Sequence, residues 1–302
     1  MPPPVIGSKE RRMRKTRGIP ILFTLIFLMG LSLLLYPMVS NYLNSKRTQD
    51  VIQSYTQDME SVSQDDSQEW LSCAYAYNAT LEGRGVPDAF ALTTPEEDEN
   101  YLSQLSFRED GVMGYIEIPK ISVSLPIYHG TGEEVLSKGA GHLQGSALPV
   151  GGENTHCVIS AHRGLPSAAM FTDLDQLEIG DHFYISVLNE TLCYEVDQIL
   201  VVEPEDTSAL DVAEGMDLVT LVTCTPYGVN TQRLLVRGHR VPYTQETMEQ
   251  EAEMPVRSVY TNYALWIIGG LVITALFILG MLLFLRRRDR REAGSKEDSH
   301  ET

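Results

Sequence analysis

Two apolar stretches divide this chain and limit what the rest of it can become. Residues 19–39 (Ile19 to Val39) follow Lys9, Arg11, Arg12, Arg14, Lys15 and Arg17, and residues 264–285 (Ala264 to Leu285) precede Arg286, Arg287, Arg288, Arg290 and Arg291. At about 1.5 Å per residue, each is long enough to cross a hydrocarbon core of about 30 Å. A buried core helix is a poor alternative, because the flanking arginines would lose their water. Positive charge beyond both outer ends predicts two membrane crossings, with both termini cytoplasmic and everything between them outside. Tyr260, Tyr263 and Trp266 suit the outer aromatic belt. Tyr36-Pro37-Met38-Val39-Ser40 lacks an Ala-x-Ala cleavage site, so the first segment reads as an uncleaved anchor and not as a signal peptide.

Between the two stretches the charge balance is one-sided. Residues 40–263 hold eleven basic and thirty-five acidic side chains, a net charge near −24, against −18 for the whole chain. Nucleic acid and anionic lipid surfaces are excluded as partners on that ground. All four cysteines (Cys73, Cys157, Cys193 and Cys224) lie in this exterior part. No pair has the two-residue spacing of zinc ligands and the seven histidines are scattered, so no metal and no cofactor is expected. Cys157 and Cys193 both fall in strand-like runs. A bridge between them is conceivable, but buried free thiols are the simpler expectation.

The exterior part changes character along its length. Residues 40–110 begin with a proline-free polar stretch carrying spaced apolar residues (Val51, Ile52, Tyr55, Met59, Val62, Trp70, Leu71, Ala74), which predicts one or two helices lying against a domain. Gly83 to Asp110 carries glycines, prolines and the acidic run Glu96-Glu97-Asp98-Glu99, and reads as a long mobile loop. Residues 111–243 are β-rich, with strands expected at 113–118, 123–128, 155–160, 183–188, 191–202, 218–223 and 232–241 and a short helix at 168–177. Many short strands with few helices predict a sandwich or a barrel. Residues 244–263 read as an acidic, flexible tether to the second apolar segment, and 1–18 and 286–302 as basic cytoplasmic tails.

Chemistry concentrates in the last two strands. Leu218 to Thr223 is a β-branched apolar run, Pro226, Gly228 and Asn230 mark a turn-rich loop, and Leu234 to Val236 is apolar again, which is the pattern of a hairpin. Cys224 ends the first strand and Arg233 begins the second, so antiparallel pairing sets a thiol opposite a guanidinium, with Cβ atoms about 5 Å apart. A fixed positive charge favours the nucleophilic thiolate and can hold an oxyanion. His162, at the end of the run Cys157 to Ala161 and beside Gly164, is the best-placed base. On spacing alone, a cysteine packed as a small hydrophobe and a histidine satisfied in a loop remain an equal alternative.

Longer motifs carry a family resemblance. Thr220-Leu221-Val222-Thr223-Cys224 resembles the Thr-Leu-x-Thr-Cys signature of sortases. Thr223-Cys224-Thr225-Pro226-Tyr227-Gly228-Val229-Asn230-Thr231 with Arg233-Leu234-Leu235-Val236-Arg237-Gly238 is similar to the pilus-assembling class C members. So are His142-Leu143-Gln144-Gly145-Ser146, Gly151-Gly152-Glu153-Asn154-Thr155-His156 and Gly164-Leu165-Pro166-Ser167-Ala168. The resemblance spans about residues 111–241. It implies a mainly β fold: the eight-stranded sortase barrel with short helices, an N-terminal helical segment and two flanking transmembrane helices.

It also implies a membrane-anchored cysteine transpeptidase in which Cys224 attacks a Leu-Pro-x-Thr-Gly-like sorting signal, His162 shuttles protons and Arg233 stabilises the oxyanion. Thr223 and Thr225 would support the substrate. The implied partners are pilin or surface-protein substrates with carboxy-terminal sorting signals, the acceptor being a pilin lysine. Attachment of surface proteins to the peptidoglycan cross-bridge remains an alternative, as does a non-catalytic surface binding module. Val86-Pro87-Asp88-Ala89-Phe90 resembles the Asp-Pro-aromatic lid of class C members, with Ala89 in the proline position. The lid reading expects Asp88 to pair with Arg233 and Phe90 to cover the Cys224 sulfur.

Overall fold

The computed structural model describes residues 8–81, 88–90, 98–252, 267–276, 278–280 and 283, with side chains from residue 25 onward. The chain divides into two compact units, Met1–Leu35 with Val259–Thr302, and Tyr36–Ser258. The first unit is helical where described. One helix in it, beginning at Leu25 within α1 (Ser8–Ser61), is long and apolar enough to cross a membrane, with a mean hydropathy of 1.6 over its best window. Two such helices were expected. The second segment lies partly outside the described residues, and its described part is a shorter apolar helix within Ile267–Gly280.

The second unit is built on a closed barrel of eight strands: β1 (Val112–Ile118), β2 (Val123–His129), β3 (Ala140–His142), β4 (Thr155–Ser160), β5 (His182–Val187), β6 (Glu190–Val202), β7 (Asp217–Thr225) and β8 (Gln232–Val241). Around the barrel they run β1-β2-β3-β4-β7-β8-β6-β5. The β2–β3 and β4–β7 pairs are parallel and the others antiparallel. Seven strands fall within two residues of their sequence-expected ends. The eighth, β3, has three residues, too few for alternation to register. The helix expected at 168–177 is only a 3-10 turn at Leu174–Gln176. Met170 takes φ 44° and Phe171 N donates back to His162 O at 3.0 Å, which pulls that backbone out of helical geometry.

The unbroken apolar run of β7 follows from cover on both faces. Val219 and Leu221 point into the main core with Ile116, Ile159, Phe183 and Val236. Val222 faces the other way, into a small cluster with Val158, Leu143, Leu210, Leu235 and Ala89. Only the tertiary fold supplies that second cover.

The helices before the barrel pack on it as expected. Tyr55 of α1 and Leu71, Ala74 and Tyr77 of α2 (Gln64–Ala79) join the main core, and Ser63 caps α2 by accepting from Asp66 N at 3.1 Å. Tyr55 donates to Met113 O at 3.1 Å and accepts from Leu188 N at 2.7 Å, closing two buried backbone groups at once. Leaving such a group unpaired costs about 1–3 kcal/mol.

Two segments expected as loop and tether hold helices among their described residues. Within Gly83 to Asp110 lies α3 (Glu99–Ser103), started by Asp98, whose carboxylate accepts from Asn100 N at 3.0 Å. Its Tyr101 is fully buried, accepting from Gly130 N and contacting His142 Nδ1, both at 2.9 Å. The acidic run therefore serves partly as a helix start, because an aspartate before a buried aromatic caps the first turn. The tether likewise opens with α5 (Gln245–Ala252) between β8 and the residues that follow. It is docked: Glu251 meets His182 Nδ1 at 2.6 Å and accepts from Tyr184 OH at 2.8 Å. An acidic composition signalled solvation there, but one of these carboxylates has partners on β5.

Candidate active site

The β7–β8 hairpin carries the first two site residues. Its register sets Cys224 opposite Arg233. The connecting loop closes with Val229 N and Asn230 N donating to Pro226 O at 3.0 and 2.9 Å, and Gly228 and Asn230 take the positive-φ positions at 73° and 60°. His162 enters from the parallel neighbour β4, which ends two residues before it. Gly164, at φ 80°, turns the chain back, and a Cβ there would lie 3.1 Å from the Tyr227 ring of the hairpin loop. The turn and the loop thus lean on each other.

A tripeptide from far upstream closes over these residues. Arg233 donates from Nε to Asp88 Oδ1 at 2.8 Å and from Nη2 to Asp88 Oδ2 at 2.7 Å, a two-pronged ion pair with both side chains largely shielded. Ala89 is 2 % exposed, its methyl seated in the cluster around Val222. Phe90 lies between the two functional side chains: its ring centroid is 6.0 Å from that of His162, and the Arg233 guanidinium carbon sits 5.4 Å above it. The sequence expectation put this ring over the Cys224 sulfur. The structure gives it His162 and Arg233 as neighbours.

The electrostatics match a covered site. Burial pushes the Cys224 thiol above its usual value, the Asp88 charge pushes the same way, and Arg233 pulls against them. Burial and the Asp88 charge both favour the protonated thiol over the nucleophilic thiolate. His162 Nε2 lies 3.3 Å from the exposed Glu133 carboxylate at the start of α4 (Glu133–Leu136), a close approach whose alignment makes no hydrogen bond.

The remaining cysteines are free, Cys157 and Cys193 both buried and unbridged. Burial, with the Asp217 charge second, places the Cys157 thiol well above its ordinary range, and Cys193 is pushed up to about 11, by burial first and by Glu251 second. Neither is a competing nucleophile. Among the described residues no group of three or more histidine, cysteine or acidic side chains is placed to hold a metal.

Thr223 and Thr225, both expected to support substrate, sit differently from each other. Thr223 is fully buried and spends its hydroxyl proton on Ala161 O at 2.8 Å, so it braces the barrel instead of facing a ligand. Thr225 is half-buried and accepts from Arg163 Nη1 at 3.0 Å. Arg163 was not singled out from sequence, although it adjoins His162; nothing in a single sequence says that its partner lies on β7.

Comparison with known proteins follows the same outline. The sortase-domain family profile matches residues 116–241. Sortase D of Bacillus subtilis is 34 % identical over 156 residues, which cover 50 % of this chain and 76 % of that protein. The chain belongs to the sortase family. As a sortase it is a cysteine transpeptidase, and its structural neighbours are class C members. Sortase C of Streptococcus pneumoniae is 45 % identical, with a TM-score of 0.60, covering 65 % of this chain and 98 % of that one. Sortase C1 of Streptococcus agalactiae is 49 % identical, with a TM-score of 0.60, over 65 % of this sortase and 100 % of its own chain. Sortase C-1 of Actinomyces oris is 48 % identical, with a TM-score of 0.56, covering 59 % and 99 %.

Proposed function

We propose that this sortase polymerises pilin subunits. The observation that carries the reading is its 45 % identity across 98 % of the pneumococcal sortase C, a protein described in terms of pilin substrate specificity. Cys224 Sγ, giving up its proton to His162, attacks the carbonyl carbon of threonine in a Leu-Pro-x-Thr-Gly-like signal, and the bond to the glycine nitrogen breaks as His162 passes that proton to the leaving amine. Arg233 holds the tetrahedral oxyanion. A lysine ε-amine of another pilin then attacks the thioester and loses a proton to His162, which leaves an isopeptide bond and a free thiol. Asp88 and Phe90 act as a lid that must leave before the signal can enter.

Incubating the detergent-solubilised chain with a sorting-signal peptide and a lysine-bearing pilin subunit tests the reading. Mass spectrometry should find a threonine–lysine isopeptide and the released glycine-initiated fragment. Transfer to a peptidoglycan-type amine with none to lysine would replace pilus assembly with wall anchoring.

The same proposal places the barrel outside the cell on two membrane crossings, supported by the arginine clusters at both outer ends. Protease added to intact cells should destroy an epitope carried on the barrel while tags at both termini stay protected. Loss of the amino-terminal tag under those conditions would overturn the two-pass arrangement.

A further inference from the structure

The parallel ladder between β4 and β7 runs from Thr155 with Asp217 to Ser160 with Val222 at one constant offset. The strand pairing stops there, but the bonding does not. Ala161 N still donates to Val222 O at 3.2 Å. Two side-chain bonds then continue across the same gap of 62 residues: Thr223 Oγ1 to Ala161 O at 2.8 Å, and Arg163 Nη1 to Thr225 Oγ1 at 3.0 Å. Between these two rungs, at the same offset, lie His162 and Cys224. Base and nucleophile are therefore each flanked, before and after, by a residue that ties one chain to the other.

The outer rung is the exceptional one, because it lies where the ladder has ended and the strands would otherwise part. Arg163 is suited to hold it. Its side chain is 7 % exposed, and its planar fork is fixed at three points: Nε donates to Thr172 O at 3.2 Å, Nη2 pairs with Asp175, and Nη1 reaches Thr225. The loop it springs from is closed on itself, with Phe171 N donating to His162 O and Gly164 N to Thr172 Oγ1. Those bonds tie the loop to His162, and Arg163 is its bond to the strand that carries Cys224.

We infer that the Arg163–Thr225 bond is a positioning device that holds His162 in register with Cys224 for proton transfer. Neither residue has to touch substrate for this. The inference rests on the catalytic reading of Cys224 and His162 above. Its physical basis is that a misplacement of about 1 Å between reacting groups can cost on the order of a hundredfold in rate.

The rival role for Thr225 is contact with substrate, since its hydroxyl accepts from Arg163 and keeps its own proton to donate. Two variants separate the roles: Arg163→Met removes the brace and keeps the threonine hydroxyl, whereas Thr225→Val removes both. In the full-length chain, each should lower the rate of thioacyl formation by about ten- to a hundredfold at saturating peptide with KM unchanged, and the double variant should be no slower than either single one. Thr225→Ser should recover most of the rate lost in Thr225→Val. The limb of the pH–rate profile contributed by His162 should flatten in both single variants, a change that loss of stability alone would not produce.

Wild-type acylation by Arg163→Met beside a slow Thr225→Val would assign the hydroxyl to substrate and overturn the brace. So would additive losses in the double variant. If Arg163→Met fails to fold, Thr225→Val against Thr225→Ser still decides, because a raised KM with unchanged kcat overturns the inference and a lowered kcat upholds it. Cys224→Ala and His162→Ala run alongside. Undiminished transfer by either sinks the catalytic reading and the brace with it, whereas inactivity in both beside a wild-type Arg163→Met sinks the brace alone.

Discussion

Cys224→Ala should abolish acyl transfer, with a loss on the order of 10⁴ to 10⁶ when acylation is followed by release of the leaving amine and aminolysis by formation of the isopeptide product. The size follows from the chemistry: without Sγ there is no thioester, and water has no positioned route to the same carbonyl. No other thiol can substitute. Cys157 and Cys193 are buried with raised pKa values, and the exposed Cys73 belongs to α2, apart from the strands that carry the site. The barrel should keep its stability to within about 1 kcal/mol, since Cys224 stands at a half-exposed strand end and its loss leaves little cavity. Circular dichroism with thermal melting checks the fold, and mass spectrometry of the trapped enzyme checks the thioacyl adduct. Polymerisation at the wild-type rate by this variant would refute Cys224 as the nucleophile.

The second large effect comes from breaking one ion pair at either of its ends. Arg233→Ala and Asp88→Ala both remove the bond that holds the tripeptide down. Their consequences for turnover should be opposite. Losing Arg233 removes the oxyanion donor and should cost on the order of 10² to 10³ in kcat. Losing Asp88 removes only a latch worth about 1 kcal/mol, so access and turnover should rise several-fold.

The pH dependence separates them further. The Cys224 pKa is raised by burial and by Asp88 and lowered by Arg233. Taking away Asp88 lowers it, so labelling by a small thiol reagent, which needs the thiolate, should move to lower pH. Taking away Arg233 removes the pull toward the thiolate while the tripeptide is released in the same way, so its profile should lie at higher pH than that of Asp88→Ala. Rates of labelling and of isopeptide formation, measured across pH on the three proteins, check both signs. Equal losses of turnover in the two variants would mean that Asp88 belongs to the catalytic apparatus and not to a lid.

What could be read in advance follows the range of the forces involved. Hydrophobic period, turn residues and charge are local, and they placed seven of the eight strands, the β7–β8 hairpin and the packing helices before the barrel. The Cys224–Arg233 pair was legible because a hairpin brings near sequence neighbours face to face. Local signals failed where a segment's partner was remote. Asp98 and Tyr101 make a capped helix anchored by one buried ring of what composition marked as loop, Glu251 docks a helix where acidity suggested a tether, and β3 exists through its two flanking strands more than through its own three residues.

The amino-acid order determined seven of the barrel's strands, a cysteine with its opposing arginine, and the segregation of arginines around two apolar stretches. The Asp88–Arg233 pair was expected from the resemblance of the Asp88 segment to a known lid, whereas the tertiary structure alone decided two other neighbours of the site: Phe90 settling on His162, and Arg163 bridging 62 residues to Thr225. Such contacts carry no periodic signature. Each depends on the path by which the barrel closes, and a side chain's spacing along the chain says nothing about which distant strand that path will bring beside it.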